Sequence, residues 1–182
     1  MRIITGKARG VKLLTLEGDA TRPTSERTKE AVFSMLQFEI EGRSVLDLFG
    51  GSGQLALEAL SRGAKSAVIS DSSKSAVDII KKNLEKTKLD SCRIMLSDWK
   101  ETLRRLKDEK FDIVFIDPPY GMKIIPDVLD ALLSYLKPSS VIVCESGHDI
   151  SKDINELFEI VKSAKYGIAY VNILRISKEN KQ

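Results

Sequence analysis

Residues 44–53, SVLDLFGGSG, run from an apolar strand-like stretch into three glycines within four positions. Such a turn costs backbone entropy. What it gains is a strand-to-helix connection without Cβ atoms, where a ligand can lie against the main chain at a helix amino terminus. Outward from it, AVISD (67–71), RIML (93–96), FDIVFID (111–117) and SVIVCES (140–146) repeat the short apolar run, with amphipathic segments between them at about 53–62, 73–88, 98–107 and 125–136. This alternation predicts an α/β fold in which a parallel sheet is covered on both faces. After Gly147 the rhythm breaks. LFEIVKSAKYG and IAYVNILRIS meet around Lys165–Gly167 with no room for a crossover helix, so these two strands must be antiparallel. The expected whole is a seven-stranded, mostly parallel sheet ending in a carboxyl-terminal antiparallel hairpin.

Upstream of the first strand, apolar pairs in 2–5 and 11–14 flank Gly6 and Gly10 and predict a small β-hairpin. A helix is expected from Thr24 or Ser25, where a capping hydroxyl precedes Glu26, to about Phe38, with Gly42 as its stop. Residues 1–42 thus read as a hairpin-plus-helix extension on a core of 43–182, one structural domain overall. At 182 residues the chain can bury about 70% of its unfolded surface. Its 42% hydrophobic and 30% charged composition excludes the disordered, collagenous and disulfide-built classes.

The net charge of +3 is unevenly placed: MRIITGKARGVK carries +4 from Arg2, Lys7, Arg9 and Lys12, leaving −1 for the rest. A basic arm on a near-neutral body suits either a grip on phosphates or a solvated turn. Cys92 and Cys144 lie in separate apolar runs and read as reduced core thiols. The single histidine, His148, leaves no partner for a His-based metal site, and none is expected. No apolar run approaches the roughly 18 residues of a membrane span and no signal-peptide core is present, so a cytoplasmic protein is expected. No long exposed apolar stripe asks for a partner, and a monomer is expected.

At the end of the first strand, the glycine loop alone fits two cofactors. Gly51-Ser-Gly53-Gln-Leu-Ala56 matches G-x-G-x-x-A, with Asp71 placed to hold a ribose hydroxyl, as in NAD binding. Asp47, just before the loop, tilts the choice to S-adenosylmethionine, because a carboxylate suits a cationic amino-acid moiety and sits awkwardly beside a pyrophosphate. Asp98 and Trp99, after the third strand, fit an adenine amine and ring, though Asp98 equally fits a helix N-cap. Asp117-Pro118-Pro119-Tyr120 is the most informative tetrapeptide. Its two prolines remove amide donors and leave rigid carbonyls between an acid and an aromatic ring, a receptor for a planar group bearing NH₂. Asp117 and the Pro118 carbonyl can accept both amine hydrogens while Tyr120 stacks on the ring, which turns the nitrogen lone pair toward an incoming methyl without a strong general base.

D-x-F-G-G-S-G followed about seventy residues later by D-P-P-Y resembles S-adenosylmethionine-dependent amino-methyltransferases. RIITGKARGVKL and TRPTSERTKEAVFSML narrow the resemblance to the RsmD family, bacterial methyltransferases acting on guanine N2 of 16S ribosomal RNA. The resemblance implies a Rossmann-like class I methyltransferase core. It implies cofactor contacts at Asp47, Gly50, Gly51, Gly53, Asp71 and Asp98, and target-base contacts at Asp117, Pro118, Pro119 and Tyr120. Arg22, Pro23, Thr24, Ser25 and Arg27 match a family segment expected to close over cofactor and target, with Thr24 toward the cofactor and Arg22 and Arg27 joining the arm in holding RNA. Gly51 stands where alanine is frequent and Asp71 where glutamate is usual, which shortens the reach to the ribose by one methylene. The implied partner is 16S RNA or the small ribosomal subunit. Other readings are a methyltransferase on transfer RNA, one on DNA adenine N6 or cytosine N4, and a catalytically silent RNA-binding module.

Overall fold

Every side chain of strand β4 (Phe111–Ile116) is buried, which places this apolar run at the centre of a sheet covered on both faces. The computed structural model describes residues 1–16 and 26–178. Strand β1 (Ser44–Asp47) pairs in parallel with β4 on one side and with β2 (Ser66–Asp71) on the other, and β2 pairs in parallel with β3 (Cys92–Leu96). On the far side β4 pairs in parallel with β5 (Leu136–Ser146), and β7 (Ala169–Ile176) inserts antiparallel between β5 and the edge strand β6 (Phe158–Tyr166). The order is β3-β2-β1-β4-β5-β7-β6, the mostly parallel seven-stranded sheet that the sequence predicts. Strand order reverses between β1 and β4, so the crevice for a ligand opens beyond their carboxyl ends.

The helices are α1 (Glu26–Met35), α2 (Gln54–Ser61), α3 (Lys74–Thr87), α4 (Trp99–Arg105) and α5 (Ile125–Leu132). One core joins Phe33 of α1, Leu57 of α2 and Ile80 of α3 to Ile69 and Phe115 of the sheet, with the rings of Phe33 and Phe115 5.9 Å apart. The other joins Leu103 and Leu106 to Val128, Leu129 and Leu132 over Leu46, Val114, Ile116 and Ile142. The expected amino-terminal cap of α1, Thr24 or Ser25, lies outside the described residues. Helix α5 stops earlier than the periodicity predicts: a 3-10 turn at Leu133–Tyr135 follows, and β5 begins at Leu136. Pro138 lies in that early stretch, and the β4–β5 register shifts between Phe111 and Ile113. There Ser140 Oγ donates to the Phe111 carbonyl at 2.7 Å and accepts from the Lys137 amide at 2.7 Å. Cys144 is buried and Cys92 half-buried, both free thiols. Burial pushes Cys92 up to about 12 and Cys144 higher still.

The expected amino-terminal hairpin is present and short, with one antiparallel bridge between Arg2 and Lys12. Across it the Ile3 amide donates to the Val11 carbonyl at 3.0 Å, the Gly10 amide to the Ile3 carbonyl at 2.8 Å and the Leu13 amide to the Met1 carbonyl at 3.0 Å, while other backbone groups go to the helices beneath. Ile4 and Thr5 amides donate to the two oxygens of Glu58 at 2.7 and 3.0 Å, and the Lys7 amide donates to the Ser61 carbonyl at 2.8 Å. The Ala8 amide donates to Ser61 Oγ at 3.0 Å, while the Leu14 amide donates to Asn83 Oδ1 at 2.7 Å. Asn83 Nδ2 donates to the Leu14 carbonyl at 2.9 Å and to Ser52 of the glycine loop at 2.8 Å, so one buried amide ties the arm to the loop. Glu58 is fully buried and also accepts from Arg62 Nε at 2.8 Å, with Lys29 Nζ 3.5 Å away. Lys29, equally buried, donates to the Arg2 carbonyl at 2.5 Å. Burial lowers the Lys29 pKa, and the Glu58 carboxylate opposes that shift. At Gly6, φ is +87° and a Cβ would fall 1.8 Å from the Ser61 carbonyl oxygen, so only glycine lets the arm lie this close.

Removing Glu58 leaves the buried Lys29 ammonium without its counter-ion and the Ile4 and Thr5 amides without their acceptor. Glu58→Ala is expected to cost about 3–5 kcal/mol in urea denaturation and to release amide-exchange protection at Ile4 and Thr5. Asp78→Ala, which breaks the exposed Lys74–Asp78 pair, should leave the unfolding midpoint nearly unchanged. Equal effects of the two substitutions would contradict the role given to Glu58.

Candidate active site

Parallel pairing sets Asp47, Asp71, Asp117 and Glu145 at or just beyond the carboxyl ends of β1, β2, β4 and β5, so four acids meet one edge of the sheet. The glycine loop fills the space between the first two. Its Gly50 amide donates to the Ser70 carbonyl at 2.8 Å, and the Gly53 amide donates to the Gly50 carbonyl at 2.6 Å. A Cβ on Gly50 would sit 2.4 Å from Ile69 Cγ2, and Gly53 takes φ +79° to start α2. By contrast, a Cβ on Gly51 would meet nothing within 4 Å among the described residues, which leave that side of the loop open.

Asp71 locks this turn: Oδ2 accepts from the Gly51 amide at 2.9 Å and Oδ1 from the Ser73 amide at 2.8 Å. A carboxylate has lone pairs for further donors, so the same oxygens that hold the loop can hold hydroxyls. Asp47 is treated differently. It is 1% exposed, and its Oδ1 has no hydrogen-bond partner among the described residues. Burial raises its pKa to about 7, the Asp71 charge adds to the rise, and the amides of Phe49 and Ala56 pull it back. A buried acceptor without a partner beside an open glycine face fits a ligand that brings its own donor or cation.

Asp98 is exposed and caps α4, its Oδ1 accepting from the Glu101 amide at 2.8 Å. Trp99 begins that helix, packs on the second core, and has Lys100 Nζ 5.3 Å from its ring centre. Beyond β4, Asp117 is half-buried, Pro118 buried, and Pro119 and Tyr120 exposed. The Met122 amide closes a turn on the Pro119 carbonyl at 3.3 Å; the Pro118 carbonyl lies outside that turn. Tyr120 does not hang freely: its hydroxyl donates to Glu145 Oε1 at 2.8 Å, and a Cβ on Gly147 would lie 3.5 Å from its Cγ. His148 has Asp153 beside its ring. Its Nε2 lies 3.5 Å from Asp153 Oδ2, while Ser146 Oγ donates to the His148 backbone carbonyl and not to the ring.

On the arm, Lys7, Arg9 and Lys12 are exposed, as is Arg27 on α1, and none of the four pairs with a carboxylate of the described residues. Arg2 is 3.6 Å from Glu26. Arg22 and Thr24 lie outside the described residues. The sequence reading missed Glu145, Glu58 and Asn83. For Glu145 a signal was present: like Asp47 and Asp71, it is an acid closing an apolar run, in VIVCES.

Residues 1–175 match the family model described as conserved hypothetical protein 95. Ribosomal RNA small subunit methyltransferase D of Haemophilus influenzae is 34% identical over 173 residues, covering 92% of this chain and 90% of its own. The protein of the same name from Escherichia coli K12 is 35% identical over 132 residues, covering 72% of this chain and 66% of its own. A solved Escherichia coli structure, that of yhhF, superposes with a TM-score of 0.85 at 28% identity over 97% of this chain and 98% of that one. The chain belongs to the conserved hypothetical protein 95 family, the RsmD family.

Proposed function

We propose that this protein is an S-adenosylmethionine-dependent methyltransferase that modifies the exocyclic N2 of a guanine in 16S ribosomal RNA. One observation carries the reading: Asp117-Pro118-Pro119-Tyr120 leaves β4 directly beside the glycine loop leaving β1, with Asp47 in register with Phe115 two residues before Asp117. The names of the relatives, ribosomal RNA small subunit methyltransferase D, support ribosomal RNA as the substrate. S-adenosylmethionine, when bound, supplies an electrophilic methyl on a cationic sulfur.

The chain's own residues bind and orient. Asp47 accepts from the cofactor's cationic amino-acid portion, the open face of Gly51 lets it approach the backbone, and Asp71 takes the ribose hydroxyls. Gly50 and Gly53 shape that cradle, and Asp98 and Trp99 border the adenine. Asp117 and the Pro118 carbonyl accept the two amine hydrogens of the target, Pro119 stiffens the turn, and Tyr120 stacks on the base. An exocyclic amine is a poor nucleophile because its lone pair is delocalised; two acceptors on its hydrogens favour the pyramidal form and restore the lone pair. Lys7, Arg9, Lys12 and Arg27 meet RNA phosphates, which carry no sequence information themselves and fix the position of the strand.

Three outcomes follow. Asp117→Ala should lower transfer of tritiated methyl to 16S RNA by at least about a hundredfold while S-adenosylhomocysteine still binds by calorimetry; near-normal turnover contradicts the mechanism. Joint charge reversal at Arg9 and Lys12 should weaken RNA binding and reduce its salt slope by roughly 2, at about 0.9 per lost phosphate contact, with cofactor binding intact. For Asp47, a folded pKa near 7 against 3.8 means that the unfolded carboxyl ionises first as pH rises. Stability should therefore fall between about pH 4 and pH 7 and level off above, at up to about 1.4 kcal/mol per unit. Asp47→Asn should flatten that fall in thermal denaturation and weaken S-adenosylhomocysteine binding, which in the natural protein should tighten as pH rises through 7. An unchanged stability profile in Asp47→Asn would contradict the burial argument.

A further inference from the structure

The amine receptor alone does not choose a base. Guanine, adenine and cytosine all present an NH₂ to Asp117 and the Pro118 carbonyl. They differ at the ring nitrogen next to that amine, where guanine N1 carries a hydrogen and adenine N1 and cytosine N3 carry a lone pair. A carboxylate at that point attracts guanine and repels the other two. Glu145 is the acid placed for this. It ends the buried run of β5, is 7% exposed, and points its Oε1 at the hydroxyl of Tyr120, 2.8 Å away. A Cβ on Gly147 would lie 3.5 Å from Tyr120 Cγ, so the Gly147 backbone lies against the base of the side chain, while the residue as a whole is 39% exposed and leaves ring surface on which a base can stack. A base stacked on that ring would bring an edge near the phenol oxygen, beside which the Glu145 carboxylate lies, and the two oxygens of a carboxylate accept several donors.

We propose that Glu145 determines specificity for guanine in this reaction, accepting from the ring N1–H of the target base while its bond to Tyr120 fixes the stacking ring. This rests on the amine-methyltransferase reading above. It also gives a physical reason for guanine over adenine or cytosine that the D-P-P-Y tetrapeptide does not contain. Leaving a buried acceptor facing a lone pair costs about ten- to a hundredfold in recognition.

The test uses 16S RNA carrying, at the mapped target position, either guanine or 2-aminopurine, which keeps the 2-amine but has a lone pair at N1. The natural protein should favour guanine by at least about tenfold in kcat/KM. Glu145→Gln keeps an oxygen for the Tyr120 hydroxyl and offers an NH₂ to the base, so the preference should collapse or invert. Tyr120→Phe should slow both substrates alike and leave the ratio unchanged. The proposal is overturned if the natural protein methylates both bases equally, if Glu145→Gln keeps the ratio while binding S-adenosylhomocysteine normally, or if Tyr120→Phe moves the ratio as far as Glu145→Gln does. Failure of the natural protein on guanine-containing RNA would instead overturn the reading on which this rests.

Discussion

Parallel pairing of β1 with both β2 and β4 forces three strand ends to one edge of the sheet, and the chemistry of the protein is concentrated there. At that edge the ladder hydrogen bonds run out, and the amides of the following loops and helix starts are the donors at hand. An acid closing a strand can take those amides. Asp71 does so fully, with Gly51 and Ser73 on its two oxygens, and the loop is held without any ligand. Asp47 does so incompletely, and burial holds its pKa near 7. The difference between the two carboxylates separates one whose two oxygens already take loop amides from one with an oxygen left unpaired among the described residues.

The basic arm belongs to the body through polar groups as much as through apolar ones. Ile3, Ala8 and Leu13 enter the first core, and the amides of Ile4, Thr5, Lys7, Ala8 and Leu14 end on Glu58, Ser61 and Asn83. A two-stranded hairpin on its own is marginal in water. Here the helices beneath supply acceptors beyond the few that the two halves of the hairpin give each other, and the exposed Lys7, Arg9 and Lys12 are thereby carried on a fixed support. Asn83 reaches both the arm and Ser52, so the surface read as meeting RNA and the loop read as meeting cofactor share one anchor.

Much of this was legible in the chain. Glycines in FGGSG, the alternation of apolar runs with amphipathic segments, and the missing crossover after Gly147 were enough for strand count, order class and the closing hairpin, because backbone geometry leaves few alternatives. The place of D-P-P-Y as a rigid turn leaving β4 was legible for the same reason: two prolines have few conformations. The polar clamp was not. Lys29, Glu58 and Asn83 sit on amphipathic helices, where a charged or amide side chain reads as a solvent face, and only the docked arm makes them interior. The hairpin around Gly6 and Gly10 is legible too, but its docking on the helices beneath is not, because apolar pairs alone do not show where the remaining amides end. Glu145 was passed over because its meaning depends on Tyr120, 25 positions away in sequence and 2.8 Å away in space.

The central claim is a methyl group placed on the N2 amine of one ribosomal guanine. Its most direct measurement is nucleoside mass spectrometry of small-subunit ribosomal RNA from cells lacking the gene, before and after treatment of that RNA or its subunits with purified protein and S-adenosylmethionine. One residue of N2-methylguanosine should be absent beforehand and restored by the protein. Restoration of a methylated adenosine or cytidine, or no change in any methylated nucleoside, would contradict it.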